Sequence, residues 1–123
     1  MQPIIYVVDG DQPARQDLIE AIEDASMPAR GFASAEAFLN YRWRRIDACL
    51  VAEVDLPGIS GVELLRRMRA LRASIPAVLI TSRYEVPLAV EAIKGGAADV
   101  MAKPLAAAML LRRLARLLDE AIA

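Results

Sequence analysis

The chain has 123 residues, a formal net charge of −1 and a hydrophobic content of 56%. This size and apolar share suit one domain, spanning residues 1–123, with one core, and the near-neutral charge argues against direct nucleic-acid binding. Histidine is absent and cysteine occurs once, which excludes Ser-His and Cys-His nucleophilic pairs and the usual zinc sites.

The sequence also bears on location. No apolar run approaches the roughly 18 residues that a membrane span needs, and the first residues lack the basic region and cleavage site of a signal peptide. The lone Cys49 lies within an apolar run, which is typical of a buried thiol. These features predict a cytoplasmic protein that does not contact a membrane.

In the first half of the chain, short β-branched runs alternate with segments of helical periodicity. The pattern predicts a strand at 4–8, a helix from 13 to about 24, a weak strand at 29–32 and a helix from a Ser34 cap through about 44. Tyr41 and Trp43 lie among arginines, and we interpret this cluster as the end of that helix, with long side chains reaching toward solvent.

The second half continues the alternation. We expect strands at 48–54, 77–81 and 98–101 and a last helix at 110–122. Ser60 and Glu63 have capping-box spacing and begin a helix whose apolar stripe extends to Leu71. Pro87 begins another helix, which ends at the glycine pair 95–96.

Five strand–helix units predict an α/β fold with a parallel sheet covered by helices on both faces. The matching architecture is the flavodoxin-like doubly wound (βα)5 fold, with strand order 2-1-3-4-5. In such sheets ligands bind beyond the carboxyl ends of the strands, where the strand order reverses. In this order that point lies between the first and third strands.

Polar side chains follow four of the predicted strands. They are Asp9 and Asp11, Glu53 and Asp55, Thr81 and Ser82, and Lys103. Clustered carboxylates repel one another, so a hard divalent cation or the Lys103 ammonium is needed to neutralise them. A cation, a hydroxyl and a lysine around one carboxylate suit phosphoryl transfer. The residues alone leave a second interpretation equally open, in which these are solvated loop carboxylates without a ligand.

Six segments carry a resemblance to a known family. They are VVDGDQPAR at 7–15, FASAEAFL at 32–39, LPGISGVELL at 56–65, ITS at 80–82, VPLAVEAIKGGAAD at 86–99 and KP at 103–104. Through them the chain resembles a response-regulator receiver domain, most similar to the FixJ-like branch. The resemblance implies two-component phosphorelay signalling by protein–protein interaction, and no enzymatic activity beyond self-phosphorylation.

On the metal side, the resemblance matches Asp9 to the first residue of an acidic pair, whose second place is held by Gly10. It matches Asp55 to a position that ligates metal through its backbone carbonyl, and it places Glu53 beside the metal. Asp11 is an additional acid that could compensate for Gly10. We therefore expect Mg²⁺ binding to be weakened.

On the phosphoryl side, the resemblance places Glu53 at the phosphoacceptor position, where the family has aspartate. Thr81 matches the position of the hydroxyl that turns toward the phosphoryl group in the family. Ser82 matches the small residue beside it, and Lys103 matches the lysine that contacts the phosphoryl group. Val100 stands where an aromatic switch residue is typical, which makes the usual aromatic rotation impossible. The chain is thus an atypical receiver.

The longer glutamate arm leaves three alternatives open. Glu53 could accept phosphate with poor geometry, or imitate phospho-aspartate imperfectly, because a phosphoryl group has more charge and three acceptor oxygens. It could also form an ion pair with Lys103 that locks one conformation. Asp55 has the chemistry of a substitute acceptor, but its register differs.

Partners and rival functions follow from the resemblance. A histidine kinase, a phosphotransfer protein or an output protein is the expected partner, and the face from the fourth to the fifth helix is the expected homodimer surface. One rival is a haloacid-dehalogenase-type phosphatase that uses Asp9-Gly10-Asp11. The other is a degenerate receiver that serves only as a dimerisation scaffold, for which Glu53→Gln would not change partner binding.

Overall fold

The computed structural model describes residues 2–72 and 75–122, with side chains through residue 120. Its strands are β1 (Ile4–Val8), β2 (Ala29–Phe32), β3 (Ala48–Glu53), β4 (Ala77–Thr81) and β5 (Asp99–Ala102). Its helices are α1 (Gln12–Asp24), α2 (Ala35–Leu39), α3 (Gly61–Ala70), α4 (Val86–Lys94) and α5 (Ala107–Ile122). Within the described ranges, no helix combines the length and the apolar character needed to cross a membrane.

All strand pairs are parallel, and the order is β2-β1-β3-β4-β5, which confirms the predicted flavodoxin-like architecture. β3 is central and is buried at every position from Ala48 to Glu53. A strand covered on both faces must be apolar along its whole length, and this explains the run ACLVA that precedes the glutamate.

Alternate residues of each strand face two separate apolar layers. Tyr6 and Leu50 pack in the layer that includes Phe38 and Leu64 from α2 and α3. The opposite layer contains Ile5, Val7 and Val51 from the sheet together with buried residues of α1 and α5. The two layers hold the strand ends in fixed register, and this register positions the polar side chains that follow.

The segment after α2 differs from the prediction. α2 ends at Leu39 and does not continue through residue 44. Trp43 is only 7% exposed, so the prediction of solvent-reaching side chains at a helix end is wrong for this residue. Its ring stacks on Phe38 with centroids 5.1 Å apart, and the backbone N–H of Arg44 donates to the Tyr6 hydroxyl at 2.8 Å. Burial of the indole and this hydrogen bond replace the helical turns that local propensity favoured.

Two predicted helix boundaries also differ from the structure. α5 begins at Ala107, earlier than the predicted 110. α3 ends at Ala70, and Leu71 is its C-cap with 52% exposure, so the apolar stripe ends at Met68. Periodicity located both helices, but their ends depend on where each helix leaves the sheet.

Cys49 is fully buried in β3, and burial raises the pKa of its thiol from 9.0 to about 12. The thiolate fraction at pH 8 is then about 1000-fold below that of the unfolded chain. We expect native protein to resist a disulfide-exchange reagent at pH 8 and to react completely once unfolded in guanidinium. Rapid modification of the native chain would contradict this burial.

Candidate functional site

Three charged side chains from three strand ends meet in one open pocket of about 510 Å³. Asp9 directly follows β1, Glu53 is the last residue of β3 and Lys103 directly follows β5. The Lys103 Nζ lies 2.7 Å from Glu53 Oε2 and 3.3 Å from Asp9 Oδ2. Asp9 and Glu53 are 4% and 7% exposed, so both carboxylates are removed from water beside one ammonium.

The ammonium is stabilised by these acids. Burial opposes its charge, but the carboxylates of Glu53 and Asp9 outweigh that effect and raise the pKa of Lys103 above its usual value of 10.5. Because the folded-state pKa is raised, the stabilisation is fully present below the unfolded-state pKa. It is lost only as the pH rises through the folded-state value. At neutral pH the site therefore contains a charged lysine.

The Glu53 carboxylate is held by charge more than by directed hydrogen bonds. Its 2.7 Å contact with Lys103 is an ion pair, and this contact contributes to the raised pKa of the ammonium. Within the part of the chain that the structure describes, the buried Oε2 atom has no hydrogen-bond partner. An ion pair alone fixes this oxygen, and its location depends strongly on Lys103.

The β1–α1 loop fixes Asp9 from several directions. Its Oδ1 accepts from the Asp11 N–H at 2.9 Å, and its backbone carbonyl accepts from Arg15 at 2.7 Å. Asp11 Oδ2 accepts from the Ala14 N–H at 3.0 Å and caps α1. Asp11 thus serves the helix start, and the Asp9-Gly10-Asp11 phosphatase alternative gains no support from this geometry.

Gly10 leaves a space that its neighbours fill. A Cβ atom at Gly10 would lie 2.8 Å from Cδ of Pro57, so the proline ring stands against this backbone. The loop that contains Pro57 is restrained in turn, because the Ile59 N–H donates to Glu36 Oε2 at 3.2 Å. The second acidic place of the site is therefore occupied by a packed ring.

Asp55 lies at the mouth of the pocket and pairs with Arg83. The guanidinium contacts both carboxylate oxygens, at 2.7 and 2.9 Å, in the bidentate arrangement that arginine favours. These hydrogen bonds lower the pKa of the Asp55 carboxyl. Sequence reasoning missed Arg83. The available signal was an arginine two residues after Thr81, in the loop that leaves β4 toward the same rim.

Of the three remaining predicted residues, one lines the pocket and two are buried. Thr81 is fully buried, and its Oγ1 accepts from the Arg83 N–H at 3.0 Å. Ser82 is exposed and lines the pocket. Val100 is 8% exposed and belongs to the apolar layer that contains Leu64. Ser82 thus lines the acidic pocket, Thr81 holds the start of the next loop, and Val100 packs in the core.

These donors do not fit a divalent cation closely. Lys103 already faces Asp9 and Glu53, Arg83 holds Asp55, and Gly10 has no side-chain oxygen. Throughout residues 2–72 and 75–120, no group of three or more His, Cys, Asp or Glu side chains is arranged to hold a metal ion. Hard cations require several oxygen ligands, so the geometry gives Mg²⁺ no closed set of side-chain donors.

Comparison with known proteins places this chain in a family. The response regulator receiver domain family matches residues 5–115. The transcriptional regulatory protein FixJ of Bradyrhizobium diazoefficiens is 40% identical over 100 residues, covering 81% of this chain and 49% of the relative. FixJ of Rhizobium meliloti is 34% identical over 119 residues, covering 97% of this chain and 58% of the relative. The chain thus spans about half the length of these relatives.

Solved structures agree with the sequence relatives. The crystal structure of FixJ-N is 33% identical, covers 100% of this chain and 98% of its own, and superposes with a TM-score of 0.90. The BeF3-activated DrrB receiver domain is 28% identical, covers 97% of this chain and 99% of its own, and gives a TM-score of 0.87. The chain therefore belongs to the response regulator receiver domain family of two-component signalling and is a FixJ-like receiver.

Proposed function

We propose that this chain is an atypical receiver whose conformation is set by the Glu53–Lys103 ion pair, with phosphorylation of residue 53 impaired. The 2.7 Å contact between Lys103 Nζ and Glu53 Oε2 carries the proposal. Lysine is the group expected to contact a phosphoryl group in this family, and here the protein's own carboxylate already engages it.

The same contact opposes phosphoryl transfer to Glu53. The attacking carboxylate oxygen must be aligned with the phosphorus–leaving-group bond, and a displacement of about 1 Å can cost ~100-fold in rate. Glutamate has one more methylene than aspartate, and its Oε2 faces the ammonium. Transfer would also require Glu53 to leave a partner that offsets its charge in a buried location.

The switch elements are likewise held in one arrangement. Thr81 accepts a hydrogen bond from the N–H of Arg83, and the Arg83 side chain is anchored on Asp55. Val100 packs in the core and has no aromatic ring that could rotate when the state of the pocket changes. These contacts support a receiver that signals through one resident conformation.

A protein partner is proposed to read this conformation at α4. Val86, Val90 and Ile93 follow helical spacing and are 71%, 47% and 51% exposed, so they form an apolar stripe. This stripe suits a histidine kinase, a phosphotransfer protein, an output protein or a second receiver. It lies on the face predicted for a homodimer.

The test of the proposal is intact mass after treatment with acetyl phosphate or phosphoramidate and magnesium. We expect no phosphoryl mass gain in the native chain, and a gain in the double variant Glu53→Asp/Gly10→Asp after the loop of Pro57 shifts to admit the new side chain. Glu53→Gln is the matched control, since it keeps the side-chain length and removes the acceptor. Labelling of the native chain at Glu53, absent in this control, would refute the proposal.

A further inference from the structure

At the rim of the acidic pocket, Asp55 is paired with a cation that belongs to the protein. We propose that Arg83 is a built-in counterion that takes the place of a divalent cation there, so that the pocket keeps its structure without metal. The inference concerns ion binding and does not depend on whether Glu53 is phosphorylated.

The first support is that both carboxylate oxygens of Asp55 already have a hydrogen-bond partner. Both of its carboxylate oxygens contact the Arg83 guanidinium, at 2.7 and 2.9 Å, and neither is left facing the pocket without a partner. A metal ion that recruited the Asp55 carboxylate, rather than its backbone carbonyl, would first have to break this bidentate pair. Arginine presents a rigid fork of donors that matches a carboxylate, whereas Mg²⁺ gives up its water ligands reluctantly.

The second support is that the loop between β4 and α4 orients the Arg83 guanidinium toward Asp55. The Arg83 N–H donates to Thr81 Oγ1 at 3.0 Å, which fixes the backbone at the end of β4. The side chain also lies 3.8 Å from Glu85, so acids flank it on two sides. Arg83 is thus held beside Asp55, at the rim of the pocket, by contacts within its own loop.

The third support comes from the carboxylates that lie deeper in the pocket. Asp9 uses Oδ1 on the Asp11 N–H and Oδ2 on Lys103, and Lys103 also neutralises Glu53. At residue 10 the Pro57 ring takes the space of a side chain. The two cations Lys103 and Arg83 therefore pair with three of the four carboxylates that line the pocket, Asp9, Glu53 and Asp55, while the fourth, Asp11, caps α1.

The experiment is a calorimetric titration with Mn²⁺ and with Mg²⁺ at constant ionic strength, without any phosphodonor. We expect Arg83→Ala to bind Mn²⁺ about fivefold more tightly than the native chain, because the Asp55 carboxylate is then released from the guanidinium. Arg83→Gln keeps a polar side chain, shorter than arginine and without the charge, and should show the same gain. Arg67→Ala is the control, because it breaks a comparable exposed pair with Glu63 on α3, remote from the pocket.

Each result decides the matter. A gain in both Arg83 variants and none in Arg67→Ala supports the counterion role. Equal Mn²⁺ affinity in the native chain and the Arg83 variants, whether tight or too weak to detect, overturns it, because the guanidinium would then not be what excludes the ion. Failure here leaves the phosphorylation proposal standing, since the titration involves no phosphoryl transfer.

Discussion

Replacing Lys103 with methionine is expected to lower the free energy of unfolding by about 3 kcal/mol at neutral pH. The substitution leaves Asp9 and Glu53, which are 4% and 7% exposed, without the ammonium that both carboxylates contact. Losing one partner of a buried ion pair strands the other charge in a poorly solvated location. The lower end of the usual range applies, because the lysine side chain remains 30% exposed.

Urea unfolding of native protein and variant measures this effect, and Lys94→Met is the matched control. Lys94 is an exposed lysine on α4, and its loss should change stability by about 0.5 kcal/mol or less. Adding Glu53→Gln to Lys103→Met removes one of the two carboxylates left without the ammonium and should recover about 1 kcal/mol or more. Native-like stability of Lys103→Met would show that the ion pair does not support the fold.

The pH dependence of this difference has a definite sign. Glu53 and Asp9 raise the pKa of Lys103 above 10.5 in spite of burial, so the folded state retains its proton where the unfolded chain has begun to lose it. The difference between native protein and Lys103→Met should therefore hold from neutral pH to the unfolded-state pKa. It should then decline as the pH rises through the folded-state value.

Trp43→Ala is expected to lower the free energy of unfolding by about 3 to 5 kcal/mol. Trp43 is 7% exposed, stacks on Phe38 with centroids 5.1 Å apart and lies 4.6 Å beneath the Arg45 guanidinium. Alanine would remove the stacked ring and the surface on which Arg45 rests, leaving a cavity at the edge of the core.

The matched control for the tryptophan is Tyr84→Ala, because Tyr84 is an aromatic residue with 51% exposure. Its removal should change stability by about 0.5 kcal/mol or less. Chemical denaturation followed by far-ultraviolet circular dichroism suits both variants, since the signal does not depend on the indole. A Trp43→Ala effect no larger than that of Tyr84→Ala would contradict burial of the ring.

The sheet was predictable because its strands are apolar at successive positions. β3 is buried throughout, and its sequence shows this directly. The convergence of Asp9, Glu53 and Lys103 also followed from the sequence, because the carboxyl ends of parallel strands share one edge. The distances 2.7 and 3.3 Å required the structure, since they depend on the lysine rotamer and on the loop after β5.

Trp43 and Arg83 show what the sequence could not reveal. Around Trp43 the flanking arginines suggested a solvent-facing helix end, whereas its location depends on contacts with Phe38 and Tyr6 that are distant in the chain. Arg83 follows no periodicity, and only the path of its loop brings it to Asp55, 28 residues away along the chain. Both residues are positioned by tertiary contacts, which local sequence patterns do not predict.

The most direct measurement of the central claim is a nitrogen–proton correlation spectrum of the native chain with and without beryllofluoride, a phosphoryl analogue, in the presence of magnesium. If the Glu53–Lys103 pair sets the state of the receiver, the amide signals of Thr81, Arg83 and Lys103 will not shift. Saturable shifts at these amides that disappear in Glu53→Gln would show that residue 53 accepts the analogue and that the pocket opens to it, which contradicts the account.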